Sequence, residues 1–511
     1  MTVSLPPSTS AANAELLKLA LAELEAKNYD QVLKLTEVIL SKEINNAQAL
    51  EYKFLAYHRM RDFEKALEVL DLFQSWWDTS ACSVAKSSVL VELRRPEEAL
   101  FYGDRAVKGD PKNAHGWLNR AVCYMLVGEH FKAARDLREA KKLEPNMPEI
   151  YNNLGVLYGD LRDNKRAIKE LEIGINLKEI TGTNNWNSEL RWNRATILLR
   201  QGDFIEGFKE HEKRHDIPNL FLVATTAPFN SPRWDPIADG GIDGLVGRTI
   251  IMDNEQGMGD FIQFSRYAKV LTDRGVKVLL EVEPFLVGIA QRILGIDGIL
   301  EKASSKPRPH HDYWYNMMSF PYALGTTIDT IPAPTQLNLI DQHPTIIKWK
   351  SLLGPKQRHR IGIAWSGREE YKQDHRRSMK FKEFMQMLPE GPEYCIIQKE
   401  VRPSDTTWVK GRKDVRYFGH HLDDLVDTAE LINNLDMVIS VDTGVAHLAA
   451  TLGKETWILL HYCSDWRWLM NDKKTSPWYP SVKLYRPDDI ETGWRKVISR
   501  VKNDVRKKFS L

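Results

Sequence analysis

The chain has 511 residues, 42% of them hydrophobic and 27% charged, which suits two or three folded domains and excludes a disordered polymer. A net charge of +2 gives no global attraction for nucleic acid or an anionic membrane. Cys82, Cys123, Cys395 and Cys463 form no C-x-x-C pair, so a reducing, cytoplasmic setting is expected, without a disulfide framework or zinc site.

Met1 to Ala20 carries Pro6-Pro7 and small polar residues but no basic stretch leading into an apolar core, so no secretory signal is expected there. No apolar run is long enough to span a bilayer. The first half then repeats itself. Val32, Ala66, Ala99, Ala133 and Ala167 stand 34, 33, 34 and 34 residues apart, which is the tetratricopeptide period. The best repeat has Trp117, Ala121, Tyr124, Gly128, Phe131, Ala133, Leu137, Ala140 and Pro145. Thr181-Gly182-Thr183-Asn184-Asn185 reads as an inserted loop, and Leu190 to His215 resumes as a helical pair with Gly207 at the small position. The sequence thus predicts an α-solenoid over residues 1–215 whose concave groove binds an acceptor or partner, or whose stacking only stabilises or oligomerises the protein. Asn119, Asn152, Asn153 and Asn193 are candidates for lining that groove.

Residues 216–247 are rich in Pro, Gly and Asp and read as a linker. Strands then alternate with helices in two blocks, 248–340 and 341–511, which predicts two Rossmann-like α/β lobes facing a cleft. In the first block, Arg248–Met252 is a strand, Phe261–Arg274 a helix, Val276–Val282 a strand, Pro284–Leu294 a helix and Gly298–Leu300 a short strand. In the second, Arg360–Trp365, Tyr394–Gln398, Val415–Phe418, Met437–Val441 and Thr456–Leu460 are strands, with helices at Lys382–Leu388, Leu425–Leu435 and Val445–Leu452.

Three stretches carry chemistry. Asp442-Thr443-Gly444 lies between a strand and a helix, where free N–H groups and the helix dipole favour phosphate. Gly444 would let a phosphate near the backbone, Thr443 adds a hydroxyl, Asp442 could take sugar or ribose hydroxyls, and His447 lies in the first helical turn. The same letters also suit an ordinary buried turn. Ser366-Gly367 follows a strand, and Arg376 and Arg377 come soon after, within Lys372–Ser378, as a clamp for a diphosphate leaving group or a solvated basic loop. Gln398 closes another strand, near where a nucleotide base or ribose would lie. Gln256-Gly257-Met258-Gly259-Asp260 sits between a strand and a helix, with Asp260 either a general base or a helix cap.

SVDTGVAHLAATLGK, with Asp465-Trp466-Arg467-Trp468 and Ser476-Pro477-Trp478-Tyr479-Pro480 downstream, resembles bacterial tetratricopeptide-repeat proteins that carry a heptosyltransferase-like (glycosyltransferase family 9-like) domain. The pairing of repeats with a two-lobed domain is also similar, more distantly, to O-GlcNAc transferases. The resemblance implies a GT-B fold, the first lobe binding acceptor and the second a nucleotide-diphosphate sugar. It implies an inverting transfer with no cofactor, gives Asp260 the role of base, and places a basic residue against the leaving group, a Lys in single-domain heptosyltransferases, for which Arg377 is taken here over Arg376. No D-x-D stands at a strand end, and Asp423-Asp424 and Asp488-Asp489 lie in loop or helix-start contexts, so metal-independent transfer is expected. Three acceptors stay open: a protein side chain, a surface glycan, or a hydroxylated base of nucleic acid. The basic end, Arg495 to Lys508, bears on the last of these, or is the solvated face of a final helix. A scaffold with an inactive nucleotide-binding domain is the rival reading.

Overall fold

The computed structural model of the protein describes residues 11–177, 186–218, 220, 229–339, 344–369, 374–470, 474–490 and 493–511. The loop expected at Thr181–Asn185, and Lys372-Gln373 of the basic run, lie outside them. The chain divides into two compact units, Met1–Leu190 and Arg191–Leu511.

The first unit is helical: α1 (Ala11–Glu25), α2 (Tyr29–Lys42), α3 (Ala47–Met60), α4 (Phe63–Trp76), α5 (Ser80–Glu92), α6 (Pro96–Gly109), α7 (Ala114–Leu126), α8 (His130–Leu143), α9 (Pro148–Asp160), α10 (Asn164–Ile175) and the start of α11 (Trp186–Gln201). The periodic small residues Val32, Ala66, Ala99, Ala133 and Ala167 have no exposed surface, because the paired helices meet there. At Gly155 a Cβ would stand 3.0 Å from Leu171 Cδ1, so only glycine lets α9 lie this close to α10. Side chains of Asn46, Asp62, Thr79, Asn113 and Asp163 accept backbone N–H bonds at helix starts.

The turn within each pair passes through a left-handed residue: Lys27, Arg61, Arg94, Gly128 and Arg162, again 34, 33, 34 and 34 residues apart. Asn119 donates to the Val84 carbonyl of the preceding pair (3.0 Å), and Asn153 to the Glu149 carbonyl (2.8 Å). Asn119 thus ties neighbouring pairs together, while Asn153 bonds within its own helix α9.

The expected boundary at 215 moves. The division falls within α11, and α12 (Phe204–His211) belongs to the second unit. Phe204 stacks on Trp478 (5.7 Å) and Phe208 meets Trp466 edge-on (5.6 Å), so large apolar side chains at a repeat-like position complete another core. The segment 216–247 is likewise more than a linker. Trp234 is buried, its backbone N–H donates to the Trp314 carbonyl (2.9 Å), and its ring meets Tyr315.

The second unit holds two parallel sheets. The first has β1 (Thr249–Asp253), β2 (Lys277–Val282), β3 (Gly298–Glu301) and β4 (Tyr313–Asn316) in the order β3-β2-β1-β4. Helices α13 (Met258–Phe264), α14 (Arg266–Thr272), α15 (Val287–Ala290) and α16 (Phe320–Ala323) accompany it, and α17 (Pro344–Leu353) follows. The second sheet has β5 (Arg360–Ala364), β6 (Glu393–Ile396), β7 (Val415–Tyr417), β8 (Met437–Val441), β9 (Thr456–Leu459) and β10 (Val482–Tyr485) in the order β10-β9-β8-β5-β6-β7. Its helices are α18 (Asp374–Arg377), α19 (Phe381–Phe384), α20 (Thr406–Lys410), α21 (Leu425–Asn433), α22 (Gly444–Thr451) and α23 (Trp494–Phe509).

Renumbered from its own first strand, the second sheet runs 6-5-4-1-2-3, the Rossmann order, and the first sheet repeats the 3-2-1-4 part of it. One apolar cluster joins residues of both sheets, among them Ile250, Tyr267, Val438, Ala446 and Ile458, while a second buries the other side of the larger sheet under Val497, Val501 and Val505 of α23.

Several expected elements differ. The helix expected over Phe261–Arg274 starts at Met258 and breaks at Ser265, whose hydroxyl turns to Thr335 (2.7 Å). Pro284–Leu294 holds a single-turn 3-10 segment and the short α15, not a full helix. Strands β4 and β10 had no counterpart in the reading. The four cysteines are buried, and among the described residues they form no disulfide. Among the described residues, no helix is long and apolar enough to cross a membrane.

Candidate functional site

In an open parallel sheet the strand order reverses at one point, and the carboxyl ends of the two strands there splay apart to leave a crevice. In the larger sheet that point lies between β5 and β8. Ser366-Gly367 follows β5, and Asp442-Thr443-Gly444 follows β8. The fold therefore brings together two stretches read separately from the sequence.

Thr443 is the residue preceding α22, with an extended backbone, and its hydroxyl lies 3.2 Å from Ser440 Oγ rather than capping the helix. The first N–H groups of α22 have no partners within the helix. Arg377, on α18, crosses to this turn. Its Nη1 donates to the Asp442 carbonyl (3.1 Å) and its Nε to Asp374 (3.2 Å). A Cβ at Gly367 would lie 2.7 Å from the Arg377 Cζ, so the glycine makes room for the guanidinium. Arg376 is half-buried on α18, and the recorded bridge to Asp442 belongs to Arg377.

Gln398 plays a different part from the one expected. It is buried, its Oε1 accepts from Trp365 N–H (2.9 Å), and its Nε2 donates to Ser366 Oγ (3.1 Å) and the Glu400 carbonyl (2.7 Å). Both donors are spent, so Gln398 binds the ends of β5 and β6 together rather than reaching for a nucleotide. Of the acidic pairs, Asp424 caps α21, while Asp423 pairs with Lys348 (3.0 Å) and Asp488 with Arg500 (3.2 Å).

In the smaller sheet the corresponding crevice is between β1 and β4. Gln256 and Gly257 lead from β1 into α13. Asp260 is the third residue of that helix, and its Oδ2 accepts the Gly257 N–H (3.0 Å). It thus closes the helix start from within, as the acidic partner of a capping box. Its side chain keeps 20% exposure. The α13 start abuts the α22 start. A Cβ on Gly444 would run into Met258 and stand 3.3 Å from the Gly259 nitrogen, and one on Gly259 would stand 3.1 Å from His447 Cδ2. Two glycines facing each other let these turns touch.

The charge at this junction centres on Arg467. It pairs with Asp260 through Nη2 and with Asp465 through Nη1 (2.8 Å). Asp442 is within its electrostatic reach. Burial raises the Asp260 carboxyl above its ordinary range, against the pull of Arg467. Burial, reinforced by the negative charge of Asp465, pushes Asp442 up to about 6. Burial and then Arg467 push His447 down to about 3, so the imidazole is neutral at physiological pH. His447 Nδ1 lies 3.0 Å from the Tyr479 hydroxyl, and its ring leans on Trp468 (5.0 Å). It is a neutral, buried spacer between the two turns and supplies no cation for a phosphate. Arg467, Asp465, Trp468 and Tyr479 were quoted from the sequence only as part of a resemblance. Their signal was aromatic and charged residues crowded into a segment between strands.

The family model described as glycosyltransferase family 9 (heptosyltransferase) matches residues 423–469, from just before α21 to just past Arg467. A tetratricopeptide repeat model matches residues 148–180. Among curated proteins, an Hsp70-Hsp90 organizing protein of Triticum aestivum is 24% identical over 160 residues, 30% of this chain and 26% of its own. A TPR repeat-containing protein of Methanocaldococcus jannaschii is 26% identical over 120 residues, 24% of this chain and 21% of its own. The chain thus spans about a quarter of the length of these curated relatives. A tetratricopeptide repeat protein of Parabacteroides merdae superposes with a TM-score of 0.37 at 18% identity, covering 42% of this chain and 82% of that one. A thermophilic TPR protein of Thermus thermophilus gives 0.32 at 24% identity, covering 37% and 99%.

Proposed function

We propose that this chain, which carries a tetratricopeptide repeat and a glycosyltransferase family 9 segment, is an inverting glycosyltransferase with a GT-B arrangement. The donor is a nucleotide-diphosphate sugar, and the acceptor is a hydroxyl of a macromolecule recruited with help from the repeats. The observation that carries the reading is the junction of the α13 and α22 starts. There the α13 start that carries Asp260, a carboxylate with a raised proton affinity, abuts the helix start that follows Asp442 and Thr443. The diphosphate lies on the first N–H groups of α22, with Arg377 beside it. Asp442 receives sugar hydroxyls.

The acceptor oxygen attacks the anomeric carbon as the bond to the diphosphate breaks, and the diphosphate leaves with the electron pair. Asp260 takes the acceptor's proton. One Asp260 oxygen is held by Gly257 and the other by Arg467, yet each keeps a lone pair and the group is partly open. Burial makes it a better base than an ordinary carboxylate, and Arg467 holds its orientation. The chain's own cations, Arg377 and Arg467, and the absence of a D-x-D in the sequence support transfer without a metal.

The test is a thermal-shift panel of UDP, ADP, GDP and CMP sugars on the full chain, followed by release of free nucleotide. A ligand that binds only the folded state raises the melting temperature. A shift with one diphosphate sugar that Arg377→Met abolishes is expected. A folded protein that answers to none of them overturns the proposal.

A further inference from the structure

The residue after Asn254 at the end of β1 is Glu255, buried and acidic, standing between the strand and the loop that carries Asp260. Opposite it is Arg214, in the 3-10 turn Glu212–Asp216 that follows α12. The Arg214 guanidinium is fully buried, and every one of its N–H groups is used. Nε and Nη2 donate to the two Glu255 oxygens (2.9 and 2.8 Å). Nη2 also donates to Ser319 Oγ (2.7 Å), and Nη1 to Glu212 (2.7 Å) and the His211 carbonyl (3.1 Å). The Met318 N–H completes Glu255 (3.1 Å). Ser319 and Met318 lie in the turn after β4, so the pair sits across the β1–β4 switch point.

A buried ion pair is a poor way to gain stability. Desolvation offsets its attraction, and an apolar pair of similar size often does as well. Its value is geometric, since a two-pronged guanidinium–carboxylate contact fixes distance and angle together. Between Glu255 and α13, whose third residue is Asp260, lie only Gln256 and Gly257, so the turn that aims the helix start is short and has little stiffness of its own. On the other side of the strand end, Lys302 holds the Asn254 carbonyl and pairs with Asp253 (2.9 Å).

We propose that Arg214 is a positioning residue for the proposed transfer: through Glu255 it sets the loop that presents Asp260. This rests on the reading of Asp260 as the base. Supporting groups around Arg214 are neutral or paired. Burial followed by Arg214 pushes His215 down to about 4, and Arg233 lies over the Tyr315 ring (4.6 Å).

The experiment compares the full chain with Arg214→Met, Glu255→Met and the double variant, reading melting temperature and amide hydrogen exchange. Each single variant leaves one charge buried and should melt lower. The double variant removes both charges of the pair, with Glu212 still held by Arg233 (3.2 Å), and should regain most of the melting temperature. Exchange at residues 256–261 should stay at least tenfold faster in all three, with β8 unchanged. Turnover of whichever nucleotide sugar shifts the native melt should fall about 10- to 100-fold in the double variant, with its dissociation constant unaltered. If the double variant recovers loop protection along with stability, or if exchange rises equally in β8, Arg214 is only structural and the proposal is overturned. A loosened loop in a protein that turns over no sugar nucleotide at all would uphold the loop control, and would instead remove the transferase reading and Arg214's part in it.

Discussion

The two compact units are built on opposite principles of contact. In the helical array, partners are near in sequence: Asn119 reaches Val84, 35 residues back. In the second unit, the contacts that define the site are remote: Asp260 meets Arg467 across 207 residues, and Arg266 meets the Trp478 carbonyl across 212. Local repetition makes a fold legible and tolerant, because each pair repeats its neighbour's solution. Remote convergence makes a site illegible and brittle, because no short stretch contains it.

The sharpest way to break the comparison is to cut between the units. A chain beginning at Trp186 keeps Phe204, Phe208 and Arg214 and should fold. One beginning at Pro218 loses them, and with them one ring partner each of Trp466 and Trp478 and the guanidinium that pairs with Glu255. Each lost phenylalanine is worth about 3–5 kcal/mol, enough together to unfold a marginal unit. Circular dichroism melts would show it, and a cooperative transition in the shorter chain would restore the boundary near 215.

Next in size is Asp260→Asn. The Gly257 N–H bond survives, and Arg467 keeps Asp465, so melting should change little. Turnover should fall roughly two to four orders of magnitude, with donor affinity unaltered. In the parent, turnover should rise with pH as Asp260 loses its proton, the rise centred above the ordinary carboxylate range because burial raises it. A rate within a few-fold of the parent returns Asp260 to a purely capping role.

A change inside the array should stay there. Gly155→Ala pushes against Leu171 and should cost roughly 1–3 kcal/mol. Nucleotide-sugar binding should not move. Weakened donor binding, measured by calorimetry, would tie the units together energetically.

Asp442 gives a smaller effect with a definite sign. Its folded value of about 6 lies above the ordinary 3.8, so the protonated form is favoured by folding. The associated stability is present at low pH and is lost as pH rises from about 4 through about 6. Asp442→Asn should remove that slope and raise stability at neutral pH by on the order of 3 kcal/mol, read by urea titration at several pH values. An unchanged slope would refute it.

The smallest effect is Lys27→Gly. A left-handed lysine is strained where glycine is not, so stability should rise by up to about 1 kcal/mol. A fall in melting temperature would show that the lysine side chain matters more than its backbone.

What could be read from the sequence follows the same divide. The array was legible from five small residues, and the strand–helix–strand at Met437–Leu459 from a β-branched run broken at Asp-Thr-Gly. Strand β4 was missed because Tyr313-Trp314-Tyr315-Asn316 is short, aromatic and without alternation. Gln398 was misassigned because a strand-end amide looks alike whether it meets a ligand or a neighbouring loop. Arg467 was overlooked as a site residue because its partner is encoded 207 residues away. Phe204 and Phe208 were counted with the repeats because helical spacing does not say which core a side chain joins.

The same 207-residue span has a consequence for how the protein comes into being. A ribosome adding roughly 5–20 residues per second finishes the array early, and local contacts let it fold within that time. Between the emergence of Asp260 and that of Arg467, on the order of 10–40 seconds pass. Throughout that interval the nascent chain carries a carboxylate without its cation and a sheet without the aromatic segment around Trp466 and Trp478 that covers it. The helices made first have their partners at hand, so the long wait between partners falls on the second unit.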